Sequence, residues 1–386
     1  MALHVCYVEA NYPHPHGGGG AGTYVRLVGR ELVRRGLRVS VVAAWCPHCP
    51  SYFCDDGIAV HRPRGRGNLH WYLGKLPGLR GLAQPARYLE HGLEWHRLLE
   101  RLHRRERFSV VEFTEGGDFW HAFHHSFPVV THLHGSGFTF LEHSNRPLTP
   151  ADHRQRRLEL AFIRRARRVF SPSQSLAEAV RQEMEGPLPP EVILPYPLDP
   201  SLLTPDEPSE TESGPPTVLL AARDDPVKGA GVLLQAVPQV RRHVPDADFL
   251  FVGPRPAPAE PCPEGVRYLP FMPKDRLLRH YREAALCVVP SLWDNSPNTV
   301  YEAMAAGRAV VASRVGGIPE LVEDGVTGLL IEPGDADQLA GAVTRLLRDA
   351  GLRRAMGRAG RSRIQRLAGL EKNVSERVAV YEQVAN

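Results

Sequence analysis

The segment from Pro290 to Gly307 carries residue types that can bind a phosphorylated sugar. Its apolar start is followed by polar residues, and good helix formers begin near Thr299. Free N–H groups at the start of such a helix point back into the loop and carry partial positive charge, which suits a diphosphate. We place Glu302 in the first turn of this helix, where an acid can bind a ribose diol. Asp294, eight positions earlier, can accept hydrogen bonds from sugar hydroxyls. Each acid alone is more often a turn or helix-end residue, and only their combination favours a binding site.

A second loop supplies two cations in the sequence Arg223-Asp-Asp-Pro-Val-Lys228-Gly229. A glycosyl group that leaves a nucleoside diphosphate deposits negative charge on the phosphates, and two fixed cations stabilise that charge as it develops. The chain has only four lysines, so a lysine here is more informative than one of its many arginines. The alternative interpretation is a surface turn with an Asp–Lys pair.

Both loops lie in a long alternation of short apolar runs and amphipathic stretches, which predicts α/β domains built on doubly wound parallel sheets. The Pro-, Ser- and Glu-rich stretch before Thr217 indicates a linker between two such domains. The predicted divisions are an acceptor-binding domain at 1–195, a linker at 196–216, a nucleotide-sugar-binding domain at 217–366, and a C-terminal helix at 367–386 that packs back on the first domain. The main predicted elements are strands at Leu3–Val8, Val39–Ala44, Ser109–Phe113, Val129–His132, Val218–Ala221, Asp248–Gly253 and Leu286–Val289, and helices at Thr23–Arg35, Arg87–Arg105, His153–Arg168, Ala230–His243 and Thr299–Ala306.

The spacing Asp294-x7-Glu302, followed by Ala303-Met-Ala-Ala-Gly307 and Val315-Gly-Gly-Ile-Pro-Glu320, resembles glycosyltransferase family 4. The Arg223-x4-Lys228-Gly229 loop is similar to that family's Arg-x4-Lys-Gly loop. The resemblance implies the GT-B fold, with two Rossmann-like domains facing a cleft, retention of anomeric configuration, and no obligatory metal. The usual first acid of the family is Glu, so Asp294 is a departure that bears on which sugar hydroxyls are bound.

The resemblance also assigns residue roles. Arg223, Lys228, Asp294 and His134 are the expected catalytic residues, and His134 resembles the family's histidine that contacts the transferred sugar at the cleft edge. We expect His132 to point to the opposite face of its strand from His134. Ser173 is predicted foremost as a helix N-cap. The expected donor-binding residues are Gly19, Gly20, Gly253, Asn298, Thr299, Val300 and Glu302.

The sequence Trp45-Cys46-Pro-His-Cys49 has the look of a thioredoxin-type redox site. That chemistry needs the first cysteine at a helix start, whereas the residues up to Gly57 indicate a loop and turn. A zinc site with Cys54 lacks a second spaced ligand pair. We therefore expect free thiols here and no metal.

The composition of the chain is that of an ordinary globular enzyme, and its formal net charge of +4 gives no reason to expect a nucleic-acid partner. The N-terminus lacks the pattern of a leader peptide, and no apolar run approaches a membrane span, which predicts a cytoplasmic protein. We expect no bound cofactor, with a nucleoside-diphosphate sugar as co-substrate. The Arg-rich stretch His153–Arg168 either touches an anionic membrane or is a solvated helix face, and we favour the latter. Trp71, Trp95, Trp120 and Phe138 either line an acceptor site or pack in the core.

These residues predict a retaining glycosyltransferase that moves a hexose-type sugar from a UDP- or GDP-sugar to a small-molecule or glycan acceptor. The alternatives are a GT-B sugar-nucleotide epimerase or phosphorylase and a non-catalytic nucleotide-sugar-binding protein. A phosphorylase would need a pyridoxal lysine, and lysine is scarce in the second half. A Rossmann dehydrogenase would need a G-x-G-x-x-G fingerprint, which the glycine cluster at 17–22 does not form.

Overall fold

The structure is a computed structural model of the 386-residue chain. It describes residues 3–12, 20–46, 49–64, 69–76, 78, 83–115, 125–135, 147–184, 186–203, 214–253 and 263–386. These residues form two β-sheets with helices packed on them. No helix in the described ranges combines the length and the apolar character needed to cross a bilayer.

The first sheet has the strand order β3-β4-β2-β1-β5-β6-β7-β8, and all its neighbours are parallel except β3 with β4. Its central strand β1 is buried at every position, as expected for an apolar run covered on both faces. The strands are β1 (His4–Val8), β2 (Arg38–Val42), β3 (Tyr52–Asp55), β4 (Ile58–His61), β5 (Val110–Thr114), β6 (Val129–His132), β7 (Arg168–Ser171) and β8 (Glu191–Ile193).

The helices of this half begin and end at recognisable signals. The first one stops before Gly36, whose φ of 81° is the left-handed conformation that ends many helices. The Ser173 side chain accepts a hydrogen bond from the Leu176 N–H, which confirms Ser173 as an N-cap. The helices are α1 (Gly20–Arg34), α2 (Leu69–Lys75), α3 (Ala83–Glu106), α4 (Pro150–Ile163) and α5 (Gln174–Glu183).

The second sheet is wholly parallel, in the order β11-β10-β9-β12-β13-β14. Its order reverses between β9 and β12, so this pair is the switch point beside which ligands of doubly wound sheets bind. The elements are β9 (Thr217–Ala221), α6 (Ala230–His243), β10 (Asp248–Val252), β11 (Val266–Leu269), α7 (Lys274–Glu283), β12 (Leu286–Val289), α8 (Asn298–Ala305), β13 (Ala309–Ser313), α9 (Ile318–Leu321), β14 (Gly328–Ile331), α10 (Ala336–Arg348), α11 (Ala350–Ala368) and α12 (Leu370–Ala385).

The last helix, α12, packs on the first sheet. Its residues Val374 and Tyr381 are buried among the apolar side chains of β1, β2 and α1. The guanidinium of Arg377, also buried, lies 4.7 Å from the ring centres of both Tyr24 and Phe170. The helix therefore joins the C-terminal end of the chain to the first half through both apolar and cation–π contacts.

Three local expectations were wrong. Residues 50–57 do not form only a loop, because β3 and β4 make a hairpin whose turn residues Asp56 and Gly57 have φ of 50° and 86°. Two positive φ values are typical of a type I′ turn, which Asp-Gly favours. Cys46 and Cys49 form a disulfide, with 5.2 Å between their Cα atoms, rather than two free thiols. Helix α4 ends at Ile163 instead of Arg168, because Arg168 begins β7.

Candidate functional site

The two loops singled out in the sequence meet in the structure. The Lys228 ammonium donates a hydrogen bond to Asp294 Oδ2 over 2.7 Å, although the residues are 66 positions apart. The Ser291 hydroxyl donates to the same oxygen over 3.3 Å. The loops follow β9 and β12, so the pair lies at the carboxyl ends of the two strands at the switch point. A cation and a carboxylate are thus held together where a ligand is expected.

A glycine makes this approach possible. Gly229 ends the short 3-10 turn at Pro226–Lys228 and has a φ of 72°. A Cβ at Gly229 would lie 1.8 Å from the carbonyl oxygen of Pro290. Any other residue would therefore force the two loops apart. The Asp225 carboxylate fixes the other end of the turn by accepting the Val227 N–H.

The glycine pair Gly316–Gly317 packs against the same loop from another side. A Cβ at Gly316 would lie 1.9 Å from the Asp294 carbonyl oxygen, and one at Gly317 would lie 2.0 Å from that of Asn295. The Asn295 side chain accepts a hydrogen bond from the Ser173 hydroxyl at the start of α5. The loop of the second sheet is thereby tied directly to a helix of the first sheet.

Helix α8 begins beside Asp294 and presents its N-terminal end there. Its N-cap is Pro297, and no side chain caps this end. Asn298 is exposed and Thr299 partly exposed, and the first N–H groups of a helix have no partner within the helix. Val300 differs from its expected role, because its side chain is buried in the core and its N–H donates to the Pro297 carbonyl.

Glu302 lies in the second turn of α8 rather than the first, because the helix already starts at Asn298. Burial raises the pKa of its carboxyl, and the positive charge of Lys274 and the neighbouring Tyr281 act in the opposite direction. Lys274 itself pairs with Asp199 over 3.2 Å. Glu302 therefore faces a different set of groups from Asp294, consistent with a separate part of a ligand.

His134 follows the carboxyl end of β6. Its Nδ1 lies 2.8 Å from the Tyr196 hydroxyl, and the two rings stack with centres 5.5 Å apart. The expectation that His132 points away was wrong: the two imidazole rings lie 4.2 Å apart, because residues two positions apart in an extended chain lie on the same face. Burial, together with the neighbouring His132, lowers the pKa of His134 well below its usual value, so its imidazole is neutral.

Glu115 is a site residue that the sequence pattern did not single out. It is buried directly after β5, and its carboxylate accepts the backbone N–H of His134 over 2.8 Å. Burial, and then the charge of Glu159, raise the pKa of Glu115 to about 8. An acid immediately after a buried parallel strand was the available signal, since such positions face the ligand edge of the sheet.

The structure also gives the surroundings of the other residues that the sequence predicts for the site. Arg223 has an exposed side chain, and its carbonyl accepts the Asp225 N–H. Gly253 has a φ of 97°, and a Cβ there would lie 2.2 Å from the Ala222 carbonyl oxygen. Gly20 begins α1, and a Cβ there would lie 3.1 Å from the Asn298 side-chain nitrogen, which places it across from α8. Gly19 lies outside the described residues.

The aromatic residues considered for an acceptor site differ in their exposure in the structure. Trp95 packs against the core of the first half, whereas Trp71 is half exposed. Trp120 and Phe138 lie outside the described residues. Trp95 is therefore a packing residue, and Trp71 is available to a ligand or partner.

Known families match both halves of the chain. The model described as Glycosyltransferase Family 4 matches residues 18–195, and the model described as Glycosyl transferases group 1 matches residues 215–349. Among solved structures, sucrose-phosphate synthase from Thermosynechococcus elongatus superposes with a TM-score of 0.77 at 20% identity, over 99% of both chains. This likeness shows the GT-B fold.

Curated relatives match shorter stretches. The D-inositol 3-phosphate glycosyltransferase of Acidothermus cellulolyticus is 44% identical over 90 residues, which cover 23% of this chain and 20% of that protein. The GDP-mannose-dependent alpha-(1-6)-phosphatidylinositol monomannoside mannosyltransferase of Mycolicibacterium smegmatis is 36% identical over 161 residues, or 38% of this chain and 42% of the relative. The matched stretches thus span less than half of either relative. From the two family models and the fold, the chain belongs to the glycosyltransferases of family 4, with the GT-B architecture.

Proposed function

We propose that this protein is a retaining glycosyltransferase that transfers a hexose-type sugar from a nucleoside-diphosphate sugar, UDP- or GDP-linked, to a small-molecule or glycan acceptor. The observation that carries the proposal is the contact between Lys228 and Asp294 beside the uncapped start of α8. The lysine and the helix N–H groups suit a diphosphate, and the carboxylate suits sugar hydroxyls. These are the two parts of a sugar nucleotide that meet at the bond to be broken.

The nucleoside part of the donor is proposed to bind away from the Lys228–Asp294 pair. Glu302 is proposed to accept hydrogen bonds from the ribose hydroxyls, as acids do in other nucleotide-binding folds. A groove of about 680 Å³ lies at the carboxyl end of β11 and is lined by residues 269–273 with Arg276, Arg279 and His280. Its exposed Phe271 suits the face of a nucleobase. A GDP-linked donor is supported by the Mycolicibacterium smegmatis relative, which is a GDP-mannose-dependent mannosyltransferase, and a UDP-linked donor is the second option.

The proposed reaction is attack from the same face that the diphosphate leaves. The bond between the anomeric carbon and the phosphate oxygen breaks, and the acceptor oxygen bonds to that carbon. The acceptor proton passes to a phosphate oxygen, so no protein base is required. Lys228, Arg223 and the start of α8 stabilise the charge that grows on the diphosphate, while Asp294 and His134 orient the sugar. A neutral His134 can donate or accept a hydrogen bond without adding charge.

The acceptor is proposed to bind on the first sheet, next to His134 and Glu115. Inositol phosphate and a phosphatidylinositol mannoside are named for two relatives and illustrate the acceptor classes to try first. A cytoplasmic location, and catalysis without a metal or a bound cofactor, belong to the same proposal. Closure of the two halves would keep water from competing with the acceptor.

The proposal is tested with Arg223→Ala and Lys228→Ala, and with Lys372→Ala as a control at an exposed site. Thermal shift with UDP-, GDP-, ADP- and dTDP-sugars identifies the donor first. With that donor, each site variant should lower kcat/KM by about 10²-fold or more, because a fixed charge that acts on the transition state is lost. Lys372→Ala should leave turnover unchanged. Site variants within a few-fold of the wild type would contradict the proposal, and donor conversion without an acceptor would instead indicate an epimerase.

A further inference from the structure

A basic segment of the first half, residues 57–89, contains five arginines and one lysine but no aspartate or glutamate. The rest of the chain mixes both signs of charge, and its overall excess is only +4. Arg64 and Lys75 in this segment are exposed. Arg62 is buried and donates to the Tyr12 carbonyl, so it contributes to the structure rather than to the surface. Among the described residues the segment therefore presents two exposed cations, which can attract an anionic surface.

Helix α2 lies inside this basic segment and turns large apolar side chains towards solvent. Trp71, Tyr72 and Leu76 are 50%, 58% and 49% exposed. The Lys75 ammonium lies 3.4 Å from the centre of the Trp71 ring, and the rings of Trp71 and Tyr72 meet edge to face. We call Trp71, Tyr72, Lys75 and Leu76 the α2 patch. Contiguous exposed apolar groups of this kind mark a surface with a partner.

The opposite face of α2 is attached to the protein. Nδ1 of His70 pairs with the carboxylate of Glu90 on α3 over 2.6 Å. Because this pair fixes the helix, the α2 patch is presented outward by a defined contact. Leu89, one residue before Glu90, is also exposed and adds an aliphatic side chain to the same neighbourhood.

We infer that the α2 patch docks on an anionic lipid bilayer. Tryptophan and tyrosine prefer the boundary between lipid headgroups and acyl chains, leucine enters the acyl region, and lysine and arginine attract anionic headgroups. A nucleic acid would be met by the same cations, but it offers no apolar phase for Leu76 or Leu89. The combination of aliphatic, aromatic and cationic side chains therefore favours lipid.

The position of α2 gives this docking a consequence for the site. The chain leaves the first sheet at the carboxyl end of β4, which is the edge at which the acceptor is proposed to bind, and it enters α2 eight residues later. A docked α2 therefore brings the acceptor side of the cleft to the bilayer surface. This last step rests on the proposed function, whereas the docking itself does not.

The test is co-sedimentation of the full chain with vesicles of phosphatidylglycerol and phosphatidylcholine, compared with vesicles of phosphatidylcholine alone. We expect binding to the anionic vesicles that falls at high salt. The double variant Trp71→Ala/Tyr72→Ala and the single variant Lys75→Glu should each weaken lipid affinity by about tenfold or more, given the loss of interfacial rings or the reversal of one charge. Tyr52→Ala removes a tyrosine with the same 58% exposure from β3 and should leave binding unchanged.

Each variant is also assayed by thermal shift with the donor, so that a folding defect or a failure of the donor site is recognised separately. Equal sedimentation of the wild type and the double variant would overturn the inference, even if donor binding is intact. So would the absence of wild-type sedimentation with anionic vesicles. Tight binding to single-stranded RNA without binding to vesicles would instead assign the basic segment to a nucleic acid.

Discussion

At the scale of single residues, the candidate site depends on the contacts that fix the short side chain of Asp294. Asp294 reaches one methylene less far than the glutamate usual in the family, and it receives both the Lys228 ammonium and the Ser291 hydroxyl. A buried carboxylate with two such donors is well compensated, and the two hydrogen bonds fix its direction. In the proposed function, the sugar hydroxyls within its reach lie closer to Lys228 than those a glutamate would reach. We therefore expect the residue at position 294 to influence which sugar the protein prefers.

The buried carboxyl of Glu115 should make stability depend on pH. Its pKa of about 8 in the folded protein exceeds the ordinary glutamate value of 4.5. The folded state keeps its proton where the unfolded state has lost it, so this contribution is complete below about pH 4.5 and disappears as the pH rises towards 8. We expect Glu115→Gln, which cannot titrate, to gain stability over the wild type by up to about 1.4 kcal/mol per pH unit in that window.

Urea unfolding of the wild type and Glu115→Gln at several pH values between 4.5 and 9 measures this difference. The nearby His132 and His134 titrate in both proteins, so their effect largely cancels in the comparison. Glutamine still offers a carbonyl oxygen to the His134 N–H, which preserves the local hydrogen bond. A stability difference that stays constant from pH 5 to 8 would show that Glu115 is ionised in the folded protein.

At the scale of elements, the strands and helices that were predictable are those with strong periodicity. Helix Ala230–His243 and the strands Val129–His132 and Leu286–Val289 match the expected bounds because their apolar residues repeat with a clear period. The β3–β4 hairpin was missed, although Asp56-Gly57 is a typical type I′ turn, because the cysteines before it favoured a loop interpretation.

The residues of the candidate site also fall into those that the sequence predicts and those that it does not. Lys228 and Asp294 were each expected in the site from a separate motif, and the structure brings their side chains into direct contact, which was not foreseen. The position of His132 beside His134 was open to prediction, since residues two apart on a strand share a face. Glu115 and Tyr196 were not foreseen, since each depends on which side chains become neighbours across the first half of the fold. Sequence spacing describes one element at a time, whereas these contacts join elements far apart in the chain.

Two glycines near the start of α6 should differ strongly in their tolerance of substitution by alanine. Gly229→Ala would place a methyl group against the Pro290 carbonyl and would also occupy a left-handed backbone conformation that costs about 1–2 kcal/mol for other residues. We expect lower stability and a loss of kcat/KM of about tenfold or more, because the loops that carry Lys228 and Asp294 must separate. Gly231→Ala, two residues on, meets no atom within 4 Å and should keep activity, with stability unchanged or up to about 1 kcal/mol higher.

Thermal unfolding and steady-state kinetics on the two variants give the comparison. Both substitutions add a single methyl group within three residues of each other, so composition and chain entropy are closely matched. Equal activity of Gly229→Ala and Gly231→Ala would mean that the close approach to Pro290 has no part in the site.

At the scale of the whole molecule, the described residues of the two halves meet both away from the cleft and at the cleft. Away from the cleft, α12 packs on the first sheet, and the Asn373 side chain donates to the Pro195 carbonyl. At the cleft, Glu320 of the second half accepts the N–H groups of Gln174 and Ser175 at the start of α5, over 2.8 and 2.9 Å. A carboxylate at a helix start is favoured by the helix dipole as well as by the two hydrogen bonds. The first contact suits a permanent junction. The second, together with the hydrogen bond from Ser173 to Asn295, is a small polar contact that a domain motion can break.

Glu320→Gln tests this second contact. Loss of the charge should weaken the attachment of α9 to α5 by about 1–2 kcal/mol, since a charge-assisted pair of bonds at a helix start becomes a neutral one. Hydrogen exchange of the Gln174 and Ser175 amides should become about tenfold faster or more, while amides in the centres of β1 and β9 keep their protection. If closure positions the donor against His134, kcat should fall together with the change in exchange. Glu323→Gln is the matched control, because Glu323 pairs with Arg363 within the second half and not with the first. The cleft contact would have no role in closure if both variants exchanged and turned over like the wild type, and a change in exchange without a change in kcat would limit Glu320 to capping α5.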